Sequence, residues 1–275
     1  MLVSTVNKHT SLCQLFIRIS EAVWHKIAAY HNLGIEVPEI GLTADLIYEL
    51  TNWGNITGKA DCYIRKAFDE SVNGNDVELY IKNNMGTYDH YALQAKVLKN
   101  DKKYKGLDTG YKTSSKYQWD KLYDYAKSNG CLPFYLLYNG NTNITFPYLK
   151  KYWFFDERQF GCSIVEPRVF QYFYKRKTKT PTYTQITPKY AYPWTALTCS
   201  KSSRHKMASS SQQQNYRAKS IGEIKNSLSG YKKVDSLENE NPSSETNLSN
   251  ELYSYDTWNP IAKIIIDNTD SRDER

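Results

Sequence analysis

The chain has 275 residues, 40% of them hydrophobic and 24% charged, with 24 tyrosines and a formal net charge of +7. That length is ample for one domain with a real core, with room for an appendage. No stretch approaches the ~20 apolar residues of a membrane helix, and Arg18 and Glu21 interrupt the only signal-like run, so a cytoplasmic protein without a membrane partner is expected.

Leu12, Leu15, Phe16, Ile19, Val23, Ile27 and Tyr30 recur at helical spacing and predict a first helix. Gly34, Pro38 and Gly41 break the pattern. A second helix is expected from TADLIYEL, with Thr43 as its N-cap and Asp45 in its first turn. Three strands follow, CYIRKAF (62–68), DVELYI (76–81) and YALQAKVL (91–98), separated by the turn-rich SVNGND and KNNMGTYDH. The second and third read as a hairpin with a long loop. SSKYQWDKLYDYAKSNG carries Trp119, Leu122, Tyr123 and Ala126 at helical spacing and ends at Gly130. LPFYLLYNG is a short apolar run that reads as a buried strand. From Thr43 to Gly140 the predicted order is α-β-β-β-α-β.

Beyond 140 the pattern weakens. KKYWFFDERQF fits helix or strand, and CSIVEP reads as a short strand. Residues 200–256 are rich in Ser, Asn, Gln and Glu and read as a disordered, low-complexity linker. IAKIIID (261–267) has strand character and is expected to return to the sheet. The expected organisation is a domain over 1–199, with its core at about 36–140 and a basic, aromatic arm at 172–199. The linker and a terminal strand and tail (257–275) follow.

The five cysteines lie far apart with no CxxC pair, and the five histidines form no HExxH or HxH. A transition-metal site is therefore not expected, and reduced, mostly buried thiols are. Charge is segregated. Residues 96–127 hold nine Lys against four Asp, 172–206 hold eight basic residues and no acid, and 234–262 hold six acids and no base. Such segregation suits a polyanionic partner, although a basic stretch is equally a solvated surface. In the arm, Lys175, Arg176, Lys177 and Lys179 alternate with Tyr, Phe and Trp, a composition that suits nucleic acid or a loop packed on the core. Lys99 and Lys116 are further candidate phosphate contacts.

Strand alternation sorts the hairpin into two faces. Val77, Leu79 and Ile81 join Leu93, Ala95 and Val97 on one; Asp76, Glu78 and Tyr80 join Gln94 and Lys96 on the other. Alone, that polar face is equally the wet side of an antiparallel sheet. With the element order added, NGNDVELYI, YALQAKVLK and KYQWDKLYDYA resemble the PD-(D/E)XK nuclease superfamily over about residues 36–140, most of all a little-characterised bacterial branch with QxK in its third strand.

The resemblance implies a restriction-endonuclease-like α/β fold: an αβββαβ core with a central mixed sheet flanked by helices. It implies Mg²⁺-dependent phosphodiester hydrolysis, with Mn²⁺ as an alternative ion, DNA as the expected substrate and a 5′-phosphate product. Asp76 matches the metal-binding Asp, Gln94 and Lys96 the third-strand pair, and Gln118 a helical Gln. An acid from the first core helix completes such sites; Glu39 is the first candidate and Glu36 the second. A role in bacterial defence against foreign DNA is implied by the same analogy.

The residue types suit the chemistry. A hard divalent ion neutralises the phosphodiester oxygens and activates a water, and it needs oxygen ligands such as the Asp76 and Glu39 carboxylates and the Gln94 amide. Lys96 would orient or deprotonate that water or steady the transition state. Gln in place of Glu removes one negative charge and so weakens the ion's hold. Glu78 reads as a supporting acid or a solvated lysine partner, His90 as a structural loop-end residue or a base, and Glu70 as a loop acid near the site. A binding-only module on the same fold and a ribonuclease-type toxin remain as rivals, and the sequence leaves room for a homo-oligomer.

Overall fold

The computed structural model describes residues 6–65, 77–107, 116–140, 156–199, 213–234 and 260–267. It is an α/β protein built on one mixed, open, eight-stranded sheet. Helix α1 (Leu12–Asn32) starts at a capping box in which Ser11 accepts from the Gln14 backbone and Gln14 reaches back to Ser11. Its apolar stripe is the expected one. Helix α2 (Glu39–Thr57) begins earlier than expected, at Pro38 rather than Thr43, and Gly41 and Thr43 lie inside it. A proline just before the first turn fits there because the first N–H groups need no helical partner. The shift puts Glu39 in the first turn of the helix, where a carboxylate is favoured.

The strands are β1 (Ala60–Ile64), β2 (Val77–Lys82) and β3 (Tyr88–Val97), followed by α3 (Gln118–Asn129) and β4 (Leu132–Tyr138). Gly130 closes α3 in the left-handed conformation, as expected. Among the described residues the order from α2 to β4 is therefore α-β-β-β-α-β. Strand β3 starts earlier than expected, because Asn83 N–H bonds Thr87 C=O and Gly86 takes φ 76°, which tightens the hairpin loop. His90 consequently lies inside the strand rather than at a loop end.

Strand β3 pairs antiparallel with β2, Val77 opposite Leu93, and parallel with β4, Tyr91 opposite Leu132 through Val97 opposite Tyr138. The C-terminal strand β8 (Ala262–Ile266) does return, and it enters between β2 and β1, parallel to the first and antiparallel to the second. One face of the sheet packs against α1 and α2 through Val77, Leu79, Leu93, Ala95, Ile264 and their neighbours. The other is covered by α3 over Ala92, by α4 (Pro167–Lys175) and α5 (Tyr183–Ile186) over Tyr135 and Leu137, and by α6 (Ile221–Asn226) over Tyr80. Strands β5 (Cys162–Val165) and β6 (Tyr192–Pro193) extend one edge and β7 (Lys232–Lys233) the other.

Two expectations are corrected here. Cys13 and Cys199 form a disulfide across 186 residues of sequence, with Cα atoms 4.9 Å apart, while Cys62, Cys131 and Cys162 are free and buried. Scattered spacing hid the pair because tertiary packing creates it: Trp194 stacks on Phe16 at 3.9 Å and brings the end of the 172–199 segment to the start of α1. Within 200–256, residues 213–234 are folded onto the sheet. Tyr216 donates to Asp89 (2.6 Å), Lys219 bridges to Tyr88, and Ile224 is buried. A few well-placed apolar and aromatic residues suffice there, despite the polar composition. Among the described residues no helix is long and apolar enough to cross a membrane.

Two glycines seat α1 against the strand ends. A Cβ at Gly161 would collide with the Ser20 carbonyl, and one at Gly140 with the Trp24 carbonyl and Ala28 nitrogen. Gly161→Ala is expected to destabilise the protein by about 1–3 kcal/mol through overpacking, measured by chemical denaturation. An unchanged midpoint would mean that α1 is not seated on this glycine.

Candidate functional site

Three elements converge at the C-terminal end of the parallel pair β3–β4. Strand β4 starts opposite Tyr91 and ends opposite Val97, and α3 feeds directly into its start through Gly130 and Cys131. Helix α3 therefore runs back over the sheet and has its first residue, Gln118, toward the Lys96 end. Leu122 and Ala126 pack on Ala92, and Gln118 shares their helical face at i, i+4 spacing. On the opposite sheet face, Thr43 of α2 bonds the hydroxyl of Tyr138, the last residue of β4, at 3.0 Å. Both helix N-termini thus lie at this end, and their partial positive charges favour an anion there.

Lys96 and Glu39 meet in this place. Lys96 Nζ lies 3.6 Å from Glu39 Oε1, and the two side chains are 10% and 20% exposed. Gln94 is on the same sheet face as Lys96, two residues back, and is buried; its amide nitrogen has no hydrogen-bond partner. The side-chain oxygen of Gln118 is also buried without a partner. The unmatched Gln94 atom is an N–H donor, which a phosphate oxygen or a water can satisfy and a cation cannot. Glu36, the alternative helix acid, is engaged elsewhere: it accepts from the Asn100 backbone at 3.0 Å and lies 3.9 Å from Lys99.

Asp76 and Glu70 lie outside the described residues. Val77 is the first described residue of β2 and pairs with Leu93, the neighbour of Gln94. Among the described residues no group of three or more His, Cys, Asp or Glu side chains is arranged to hold a metal. The described oxygen donors are Glu39 and Gln94, a hard set that fits Mg²⁺ or Mn²⁺ rather than a thiophilic ion.

The remaining polar residues of this face are not solvated. Glu78 is fully buried and accepts four contacts: His90 Nε2 at 2.7 Å, Tyr125 hydroxyl at 2.5 Å, Tyr80 hydroxyl at 3.1 Å and Lys263 Nζ at 3.1 Å. Burial alone would raise its carboxyl; His90, Lys263 and Tyr125 outweigh burial and hold it at about 2. His90 stacks on Tyr80 at 4.2 Å. Lys263 also donates to the Ser227 carbonyl at 2.9 Å. The sequence reading placed Glu78 and His90 near the site but missed Lys263. The signal was present: in IAKIIID, Lys263 alternates out of the apolar face, and it sits directly opposite Glu78.

The candidate nucleic-acid contacts do not form one cluster. Lys99 follows β3 and lies near Glu36, whereas Lys116 pairs with Asp124. Lys175, Arg176, Lys177 and Lys179 are exposed around the end of α4, with Arg176 over the Tyr172 ring at 4.5 Å. The 172–199 segment is folded rather than arm-like: Tyr183 and Trp194 are buried, and Tyr172 and Tyr192 are exposed. It joins the site through backbone bonds of Pro181 and Tyr183 to Tyr104 and Lys102.

No curated protein and no solved structure matches the chain. One family model matches residues 12–271. The match spans both helices of the first sheet face, all candidate residues and the returning strand, so the chain belongs to the family described as "Family of unknown function (DUF6615)".

Proposed function

We propose that the protein is a metal-dependent nuclease with a restriction-endonuclease-like core, which hydrolyses phosphodiester bonds, with DNA as the favoured substrate. The observation that carries this reading is the contact of Lys96 with Glu39. One residue is on a strand and the other at a helix start 57 residues earlier, and they meet at 3.6 Å, with Gln94 two residues before Lys96 on the same sheet face.

In this reading Glu39 and Gln94, with Asp76, would hold Mg²⁺, which would supply charge neutralisation on the phosphate and a more acidic water. Lys96 would offer its ammonium to the attacking water or to the charge developing on the phosphoryl oxygens. The helix starts of α2 and α3 add favourable potential for the phosphate. A binding-only protein is the second reading, favoured by Gln94 standing where a carboxylate would add a further negative charge.

Glu39→Gln separates the two. It removes a metal-ligand charge while keeping shape, and it is expected to raise the Mg²⁺ concentration needed for half-maximal cleavage about tenfold or more. The check is a cleavage titration on plasmid, single-stranded DNA and RNA, with EDTA as blank. Absence of metal-dependent cleavage by the unmodified protein on all three, with nucleic-acid binding retained, would replace the enzyme by the binding module. Cleavage of RNA alone would select the ribonuclease.

A further inference from the structure

Immediately after β3 the chain makes a fixed turn. Lys102 N–H bonds the Lys99 carbonyl (2.8 Å), Lys99 N–H bonds the Lys103 carbonyl (3.0 Å), and Leu98 bridges to Tyr104. Tyr104 is buried and anchored to Asn139 at 2.6 Å, so the turn is held rigidly to the strand that carries Lys96. Lys102 takes φ 60°, a conformation that a lysine rarely adopts. It directs the side chain at the end of α1, where Lys102 Nζ lies 3.3 Å from His31 Nδ1.

The balance of charge around that contact is positive. Lys102 and Lys99 share one carboxylate, Glu36, whose Oε1 accepts from the Asn100 backbone and whose Oε2 lies 3.9 Å from Lys99. Burial and the neighbouring Lys102 lower the His31 pKa, with Lys99 adding to the effect and Glu36 and the Leu98 backbone opposing it. Burial also lowers Lys102. His31 Nε2 and Asn100 Oδ1 are buried with no partner. Lys102 donates to the Nδ1 of a neutral His31 ring, which leaves the Nε2 N–H unmatched, and these donors beside Lys99 form a site short of an anion.

We propose that Lys102, Lys99 and His31 form a phosphate-binding subsite that holds the nucleic-acid backbone beside the candidate catalytic residues. The proposal rests on a nucleic-acid substrate but not on its cleavage. Position supports a chain phosphate over a free one. The turn leaves β3 three residues after Lys96, about 10 Å along a strand. Next to His31, Leu33 and Ile35 are 72% and 49% exposed, offering apolar surface to sugar and base where free phosphate has nothing to place. The subsite would fix one backbone phosphate and so set which neighbouring phosphodiester reaches Lys96 and Glu39.

The test is binding of a short single-stranded DNA to the full chain in EDTA, with the His31 ring followed by NMR. Lys102→Gly removes the charge and suits the left-handed backbone; Lys102→Arg restores the charge, and Lys127→Ala is a distant control. DNA is expected to raise the His31 pKa. Lys102→Gly is expected to weaken binding about 3–10-fold and to reduce the salt slope by about one, with Lys102→Arg largely restoring both. Equal response of His31 to inorganic phosphate alone would overturn the nucleic-acid assignment in favour of free phosphate. An unmoved His31 together with unchanged affinity of Lys102→Gly would overturn the subsite. Cleavage plays no part in these readouts, so failure of the nuclease reading leaves them interpretable.

Discussion

Lys96→Ala is expected to lower metal-dependent cleavage by roughly 10²–10³-fold, the usual cost of removing one preorganised charge from a developing transition state. Stability should fall as well, by about 1–3 kcal/mol, because the pair is mostly buried, Lys96 10% and Glu39 20% exposed, and the packed lysine stem is lost with the charge. The turnover of the folded fraction is therefore what separates chemistry from structure. A lysine that only braced the start of α2 would cost stability and leave the turnover of the folded fraction intact. The measurement is single-turnover cleavage with Mg²⁺ beside a denaturation curve for the same sample. Retained single-turnover rates would remove Lys96 from the reaction, whatever its effect on folding.

Much of this end of the sheet was readable because short-range rules govern it. Alternation in DVELYI and YALQAKVL assigned Gln94 and Lys96 to one face and the core residues to the other, and the pairing of Val77 with Leu93 aligns the two strands as that required. Helix α3 and its stop at Gly130 followed from spacing and a left-handed cap. The start of α2 was misplaced because Gly41 reads as a breaker, while the structure tolerates a glycine one turn into a helix that is held by packing.

What the sequence hid is long-range. The Cys13–Cys199 bond depends on Trp194 reaching Phe16. The folding of residues 213–234 depends on a handful of contacts to β2, β3 and β8 that composition does not register. The partner of Glu78 depended on knowing that β8 enters the sheet beside β2 rather than at an edge.

Glu78→Ala is expected to destabilise the protein by about 3–5 kcal/mol, because it leaves Lys263 as an uncompensated charge in the sheet and strips partners from His90, Tyr80 and Tyr125. The four partners come from β8, β3, β2 and α3, so one carboxylate ties the C-terminal strand to the hairpin beneath the candidate site. Glu78→Gln keeps the shape and loses the charge, and it should fall between wild type and alanine. Acid gives an independent reading. The carboxyl is held at about 2 in the folded protein, against 4.5 ordinarily. Its contribution is therefore fully present above about pH 4.5 and lost as pH falls toward 2, a change on the order of 3 kcal/mol. Other carboxylates titrate in the same window, so the informative quantity is the difference between wild type and Glu78→Gln. That gap should shrink from pH 6 to pH 2. A gap that stays constant across this range would mean that Glu78 is not held as the buried anion of the network, and the joint between β8 and the hairpin would then rest on backbone pairing alone.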